Sequence, residues 1–151
     1  MLLFLVSVCS FKLILTNLCG LFECFFCLKH FNYTWTRTRY YCGDNEGCLN
    51  DIAWYLDNSG STTHPVGQKQ ANAWGLYDMS GNVHEWCSDW YDVDYYDISP
   101  STDPQGPSSG SDRVFRGGNW NNDAALHRSS DREKRSPSYN TNHVGFRLCL
   151  P

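Results

Sequence analysis

A chain of 151 residues that is 41% hydrophobic and 15% aromatic supports one hydrophobic core and not two. Six tryptophans, nine tyrosines and eight phenylalanines exclude intrinsic disorder, because disordered chains lack the large apolar side chains that offset the entropy of ordering. A net charge of −4 does not suit a nucleic-acid binder, which needs a basic surface to release counterions, so no nucleic-acid partner is expected.

Residues 1–28 are nearly continuously apolar, interrupted by Lys12, Asn17 and Glu23. The run is about long enough to cross a bilayer, yet it lacks a basic cluster ahead of it and a small-x-small cleavage site. It reads as a membrane or export segment, as a core helix, or as an aberrant start. Localisation follows from that choice: membrane-associated or exported in the first case, otherwise cytoplasmic, with membrane contact only through residues 1–28. The boundary is placed at residue 30, with one domain over 31–151.

Four cysteines (Cys9, Cys19, Cys24, Cys27) lie in the apolar run, and four (Cys42, Cys48, Cys87, Cys149) in the remainder. The even count permits disulfides and free thiols alike, so pairing and compartment stay open. Cys24-x-x-Cys27 has no second pair at zinc-ribbon spacing, and no metal is expected there. Cys87 and Cys149 read as small buried core residues.

From Phe31 onward, short aromatic or β-branched runs are punctuated by Gly, Asn, Asp, Ser and Pro, which predicts a loop-rich domain without a major helix. Strands are expected within Gly81 to Trp90, with Trp86 and Trp90 on one face, at Arg113 to Arg116, and at His143 to Leu148. Ser99 to Asp112, with three prolines, reads as a connecting loop. Charge is unevenly spread: eleven carboxylates face the single base Lys69 between Asp44 and Asp103, while Asp112 to Pro151 carries seven Lys or Arg against four acids. The acidic middle attracts the basic end across the fold, holds a cation, or the two stretches are solvated loops of either sign. Arg147, after Gly145-Phe146, calls for a bidentate carboxylate from that acidic middle. Gly117 and Gly118 permit a backbone bend, against which Trp120 would bury its ring.

Three blocks carry the specific signal: Asn72-Ala73-Trp74-Gly75-Leu76-Tyr77-Asp78-Met79-Ser80-Gly81-Asn82-Val83-His84-Glu85-Trp86, then Arg113 to Trp120 with its Gly117-Gly118-Asn119-Trp120, then Gly145-Phe146-Arg147. In this order and spacing they resemble the formylglycine-generating enzyme (sulfatase-modifying factor) family over roughly Tyr40 to Leu150. The resemblance implies an α+β, C-type-lectin-like fold with short strands and little regular secondary structure. It also implies that the chain is N-terminally incomplete, because the apolar segment stands where family members carry a further helix, and exposed apolar surface should follow.

The resemblance makes Asp78, Gly81, Val83 and Glu85 ligands of a structural calcium ion, the glycine and valine through their carbonyls. The residues suit this chemistry, since a turn bearing two carboxylates and intervening carbonyls offers the oxygens that calcium takes. The alternative is that Asp78 caps a turn and Glu85 pairs with an arginine. A second family calcium site would fall within Asn50 to Asn58. Oxidase members hold copper(I) with two thiolates between the last two blocks, at positions matching Asn122 and His127. That interval contains no cysteine here, so copper is not expected and no catalytic residue is assigned. The branch that makes ergothioneine needs a separate iron-binding helical domain, for which this chain has no room.

Asn121 to His143 is polar and irregular between two rigid blocks, the form of a binding loop on a fixed scaffold. Asn121, Asn122, His127, Arg128, Arg132, Tyr139, Asn140 and Asn142 are the expected ligand contacts. The segment also resembles the variable region of retroelement-diversified lectin-fold proteins, although Glu133 and Lys134 are not products of adenine diversification in asparagine-type codons. The expectation is a non-catalytic, calcium-stabilised module that binds or displays toward a protein or small molecule. The alternatives are oxidase activity on a sulfatase cysteine and a non-functional gene fragment.

Overall fold

The computed structural model describes residues 37–101 and 104–147. The apolar run at 1–28 and Cys149 lie outside these residues. Among the described residues, no helix is long and apolar enough to cross a membrane.

Four short strands form one mixed sheet: β1 (His84–Trp90), β2 (Arg113–Arg116), β3 (Glu133–Arg135) and β4 (Val144–Gly145), in spatial order β3-β2-β1-β4. β1 and β2 run antiparallel, as do β2 and β3, while β4 lies parallel to β1. The strand at Arg113–Arg116 falls where its Val-Phe pair predicts, and the expected strand from His143 shortens to two residues. β3 was not anticipated, because Glu-Lys-Arg has no strand-like alternation and pairs only through β2. Helices are single turns, α1 (Leu49–Ile52) and α2 (Tyr95–Ile98), with 3-10 turns at Glu46–Cys48 and Ala124–His127. The fold is therefore the loop-rich α+β arrangement expected, and the segment after Ser99 carries no regular element among its described residues until β2.

Register sorts the side chains onto two faces. Glu85 sits opposite Arg116 and Trp86 opposite Phe115, which puts Glu85, Cys87, Val114 and Arg116 on one face, and His84, Trp86, Phe115 and Glu133 on the other. Cys87 and Val114 close a core with Leu76 and Met79 on the first face. Tyr40, Leu49, Ile52, Ala53 and Tyr55 form a second cluster, and Tyr41 packs against both. β1 carries an irregularity between Trp86 and Trp90, where three residues of β1 oppose one of β2. The two tryptophans have separate partners: Trp86 meets Phe115 edge-on, and Trp90 lies under the Arg113 guanidinium.

The corner that launches β1 is left-handed, with φ of +57° at Asp78, +81° at Gly81 and +65° at Asn82. Gly81 is required twice over: its φ favours glycine, and a Cβ there would come 2.4 Å from the Trp54 carbonyl oxygen. Asn82 tolerates this conformation better than most residues and uses every polar group. Its N–H donates to the Trp54 carbonyl (2.7 Å), its carbonyl accepts from Trp120 N (2.9 Å), and its amide exchanges two 2.9 Å bonds with the His64 backbone. Gly81→Ala should therefore cost roughly 3 kcal/mol or more in denaturant unfolding, against about 1 kcal/mol for Gly75→Ala, which shares a positive φ but has open space around it.

Candidate functional site

The segment from Asn119 to His143 is fastened along its length to the framework. Trp120 N donates to Asn82, the Ser59 hydroxyl donates to the Trp120 carbonyl (2.8 Å), and Leu56 N donates to the Asn122 carbonyl (3.0 Å). Further along, the Tyr40 hydroxyl donates to the Ala124 carbonyl (3.1 Å) and Ser129 N to the Arg39 carbonyl (3.0 Å). Arg116 donates to the carbonyls of Ser129 and Asp131, and β3 pairs with β2. At the far end, Trp120 Nε1 donates to the Asn142 carbonyl (3.4 Å) and His84 N to the His143 carbonyl (2.8 Å). Trp120 is half-buried, its ring edge-on to His143.

The eight residues expected to meet a ligand divide into two groups. Asn121, Arg128, Asn140 and Asn142 are exposed and Tyr139 is half-buried. The other three are turned inward, which corrects the expectation for them. Asn122 Oδ1 accepts from Asn119 N (3.1 Å) and closes a turn. Arg132 is a strut, donating to the Asp92 carbonyl (3.2 Å) with its guanidinium against the Tyr91 and Tyr96 rings. His127 is 1% exposed, its Nδ1 donates to the Asp123 carbonyl (2.9 Å), and its ring lies edge-on to Tyr55 and so close to Gly118 that a Cβ there would collide with it. Sequence reading misses Arg135, whose guanidinium lies 5.4 Å from the Tyr139 ring and 5.8 Å from Phe115. Only the β2–β3 register reveals that placement.

Beneath the segment, His84 Nε2 lies 3.6 Å from Glu133 Oε1, beside His127. Burial, reinforced by His127, brings His84 down to about 3, and burial also lowers His127, so both rings are neutral near pH 7. Burial and the neighbouring Asp131 raise Glu133. Asn122 and His127, at the positions that match the oxidase thiolates, offer no sulfur, and Cys87 is buried in the core on the opposite face of the sheet. This donor set does not fit monovalent copper. Among the described residues, no three His, Cys, Asp or Glu are grouped to hold a metal ion.

On the first face, Arg147 and Glu85 form a bidentate ion pair, Nε to Oε2 at 3.0 Å and Nη2 to Oε1 at 2.7 Å, with both side chains 2% exposed. Arg147 thus finds its carboxylate in the acidic middle, as expected. Its Nη2 also donates to the carbonyls of Tyr77 and Asp78. Asp78 is buried beside it and accepts from Gly67 N (2.7 Å). Two carboxylates facing one guanidinium leave a negative charge, and burial raises Asp78 against the opposing pull of Gly67 and Arg147. A carboxylate has about four lone-pair directions, so Glu85 can meet Arg147 on one side and a hard cation on the other. Glu85 therefore pairs with an arginine and Asp78 accepts a backbone N–H, the arrangement given as the alternative to a calcium site, while both residues still carry the oxygen chemistry that a hard cation takes. Asn50 to Asn58 does not suit a cation: the Asn50 carbonyl accepts from Lys69 Nζ (2.6 Å), and the side-chain oxygens of Asn50 and Asn58 accept from the Tyr55 hydroxyl and N–H. Lys69 also lies 3.9 Å from the Trp54 ring centre, so a chain cation already takes that place.

Comparison with known proteins agrees with this fold. The family model for the sulfatase-modifying factor enzyme 1-like domain matches residues 30–150. A serine/threonine-protein kinase, pkn1, of Chlamydia caviae is 41% identical over 121 residues, covering 76% of this chain and 18% of that protein. The formylglycine-generating enzyme of Streptomyces coelicolor is 39% identical over 91 residues, covering 58% of this chain and 29% of the enzyme. The chain thus spans less than a third of either relative. Among solved structures, Treponema denticola variable protein 1 superposes with a TM-score of 0.65 at 38% identity, covering 74% of this chain and 40% of that one. PvdO from Pseudomonas aeruginosa gives a TM-score of 0.57 at 33% identity, covering 64% and 38%.

The buried pair yields a sharp expectation. Glu85→Ala and Arg147→Ala should each lose about 3–5 kcal/mol in denaturant unfolding, because each leaves a buried charge unpaired. The double variant should lose much less than the sum, and simple additivity would show that the two residues do not act as a pair.

Proposed function

The chain belongs to the sulfatase-modifying factor enzyme 1-like domain family, and from that premise we propose that it is a non-catalytic member that binds or displays toward a ligand through the face built by residues 120–143. One observation carries this reading: the segment is tied to the framework by backbone bonds at both ends and in the middle, while Asn121, Arg128, Asn140 and Asn142 remain exposed. Amide, guanidinium and aromatic groups on a rigid support make adaptable contacts at low ordering cost. The lack of sulfur at Asn122 and His127 supports a holding role over an oxidase role.

Asn140→Ala, Asn142→Ala and Tyr139→Ala should leave unfolding free energy within about 1 kcal/mol of the parent. His127→Ala, which removes a fully buried ring, should cost about 2–4 kcal/mol. A photo-reactive side chain at position 140 should cross-link to a ligand that the same group at exposed Val93 does not capture. Equal capture at both positions, or large stability losses from these three substitutions, would reject the reading.

The proposed stabilising ion is calcium, held by the carboxylates of Asp78 and Glu85 and the carbonyls of Gly81 and Val83, where it would neutralise the excess charge beside Arg147. An ion that binds only the folded chain raises stability by about 2.7 kcal/mol at a hundredfold excess over Kd. Thermal midpoints should accordingly be higher in calcium than in chelator at equal ionic strength, and Glu85→Gln should shrink that difference. Identical midpoints for the parent would remove calcium from the account while leaving the binding face untouched.

A further inference from the structure

The hairpin at residues 39–48 is closed by a disulfide between Cys42 and Cys48. The other bonds within it are local: Tyr40 and Gly43 exchange two backbone bonds, Arg39 N donates to Asp44, an exposed ion pair joins Arg39 to Glu46, and Asn45 caps the following 3-10 turn, while Tyr40 and Tyr41 pack into the cores. This hairpin is also a prop for the segment proposed to bind. Tyr40, fully buried, donates its hydroxyl to the Ala124 carbonyl and packs against Ala124, and Ser129 N donates to the Arg39 carbonyl. Cys42 is exposed, so a reductant can reach the sulfur pair, while Cys48 lies against the cluster that contains Tyr40.

We propose that the Cys42–Cys48 disulfide sets how firmly residues 124–129 of the binding face are held, so that a dithiol reductant loosens this face while the sheet stays intact. In the reaction the dithiol gives up two electrons and two protons and becomes its own disulfide. The Cys42–Cys48 bond breaks and leaves two thiols. The open hairpin then has more accessible conformations, and the two anchors it offers to 124–129, the Tyr40 hydroxyl and the Arg39 carbonyl, are engaged less of the time. The sheet bonds between β1 and β2, and the Glu85–Arg147 pair, involve no residue of the hairpin. The functional importance of this device rests on the binding reading, but its physical content does not.

Amide hydrogen exchange on the full chain tests it, comparing oxidised protein, protein reduced with dithiothreitol, and the Cys42→Ser/Cys48→Ser double variant without reductant, which isolates this pair from the other cysteines. Peptides covering 124–129 should exchange about tenfold faster in the reduced and double-variant samples, with 84–90 and 113–116 unchanged. Unchanged exchange at 124–129 in the double variant would overturn the proposal, as would a uniform acceleration that includes the sheet. Exchange reads the anchoring whether or not a ligand binds, so a failure here and a failure of the cross-linking experiment are separate results.

Discussion

The close approach of Gly81 to the Trp54 carbonyl is the constraint on which most of the molecule depends. Only a residue without a Cβ fits there, and only a left-handed backbone turns the chain from Asp78 into β1 at that point. Once Gly81 is seated, Asn82 is delivered to a position where its backbone and amide join three otherwise separate stretches, at Trp54, His64 and Trp120. The same corner lays Asp78 beside Arg147 and starts the strand that carries Glu85. Core, buried ion pair and candidate binding segment thus share one origin. In a domain with so few ladder hydrogen bonds, such side-chain and loop contacts must satisfy the buried backbone.

The two faces of β1 divide the labour. The face bearing Glu85 and Cys87 is turned to the core and to the guanidinium of Arg147, where charge is buried and must be matched. The face bearing His84 and Trp86 supports the irregular segment, and the imidazoles of His84 and His127 are kept neutral there by burial. On this face Asn122 accepts from the Asn119 N–H and His127 donates to the Asp123 carbonyl, so both side chains are engaged with the backbone.

Residue pattern made a large part of this legible. The loop-rich texture, the strand at Arg113–Arg116, the bend at Gly117-Gly118 and the need of Arg147 for some carboxylate of the acidic middle follow from side-chain type and spacing, and the α+β class from the family resemblance. The division within Asn121 to His143 was hidden, since Asn122, His127 and Arg132 are chemically no different from the exposed residues around them. Asn122 is held by a local turn with Asn119, whereas His127 and Arg132 are turned in by contacts with Gly118 and Tyr91 that are further away along the chain. The pairing of Cys42 with Cys48 likewise could not be chosen from an even count of cysteines.

Sequence alone determined the kind of domain, the absence of a thiolate pair between the last two motifs and the positions where glycine is needed, because these are properties of residue identity at a fixed separation along the chain. Tertiary structure alone decided which carboxylate Arg147 takes, which polar residues of the last segment face solvent, and that Lys69 fills the neighbourhood of Asn50. Those outcomes depend on contacts between residues far apart in the chain, such as Glu85 with Arg147 or Tyr40 with Ala124. Local propensity carries no information about such pairs until the left-handed corner at Gly81 has brought them together.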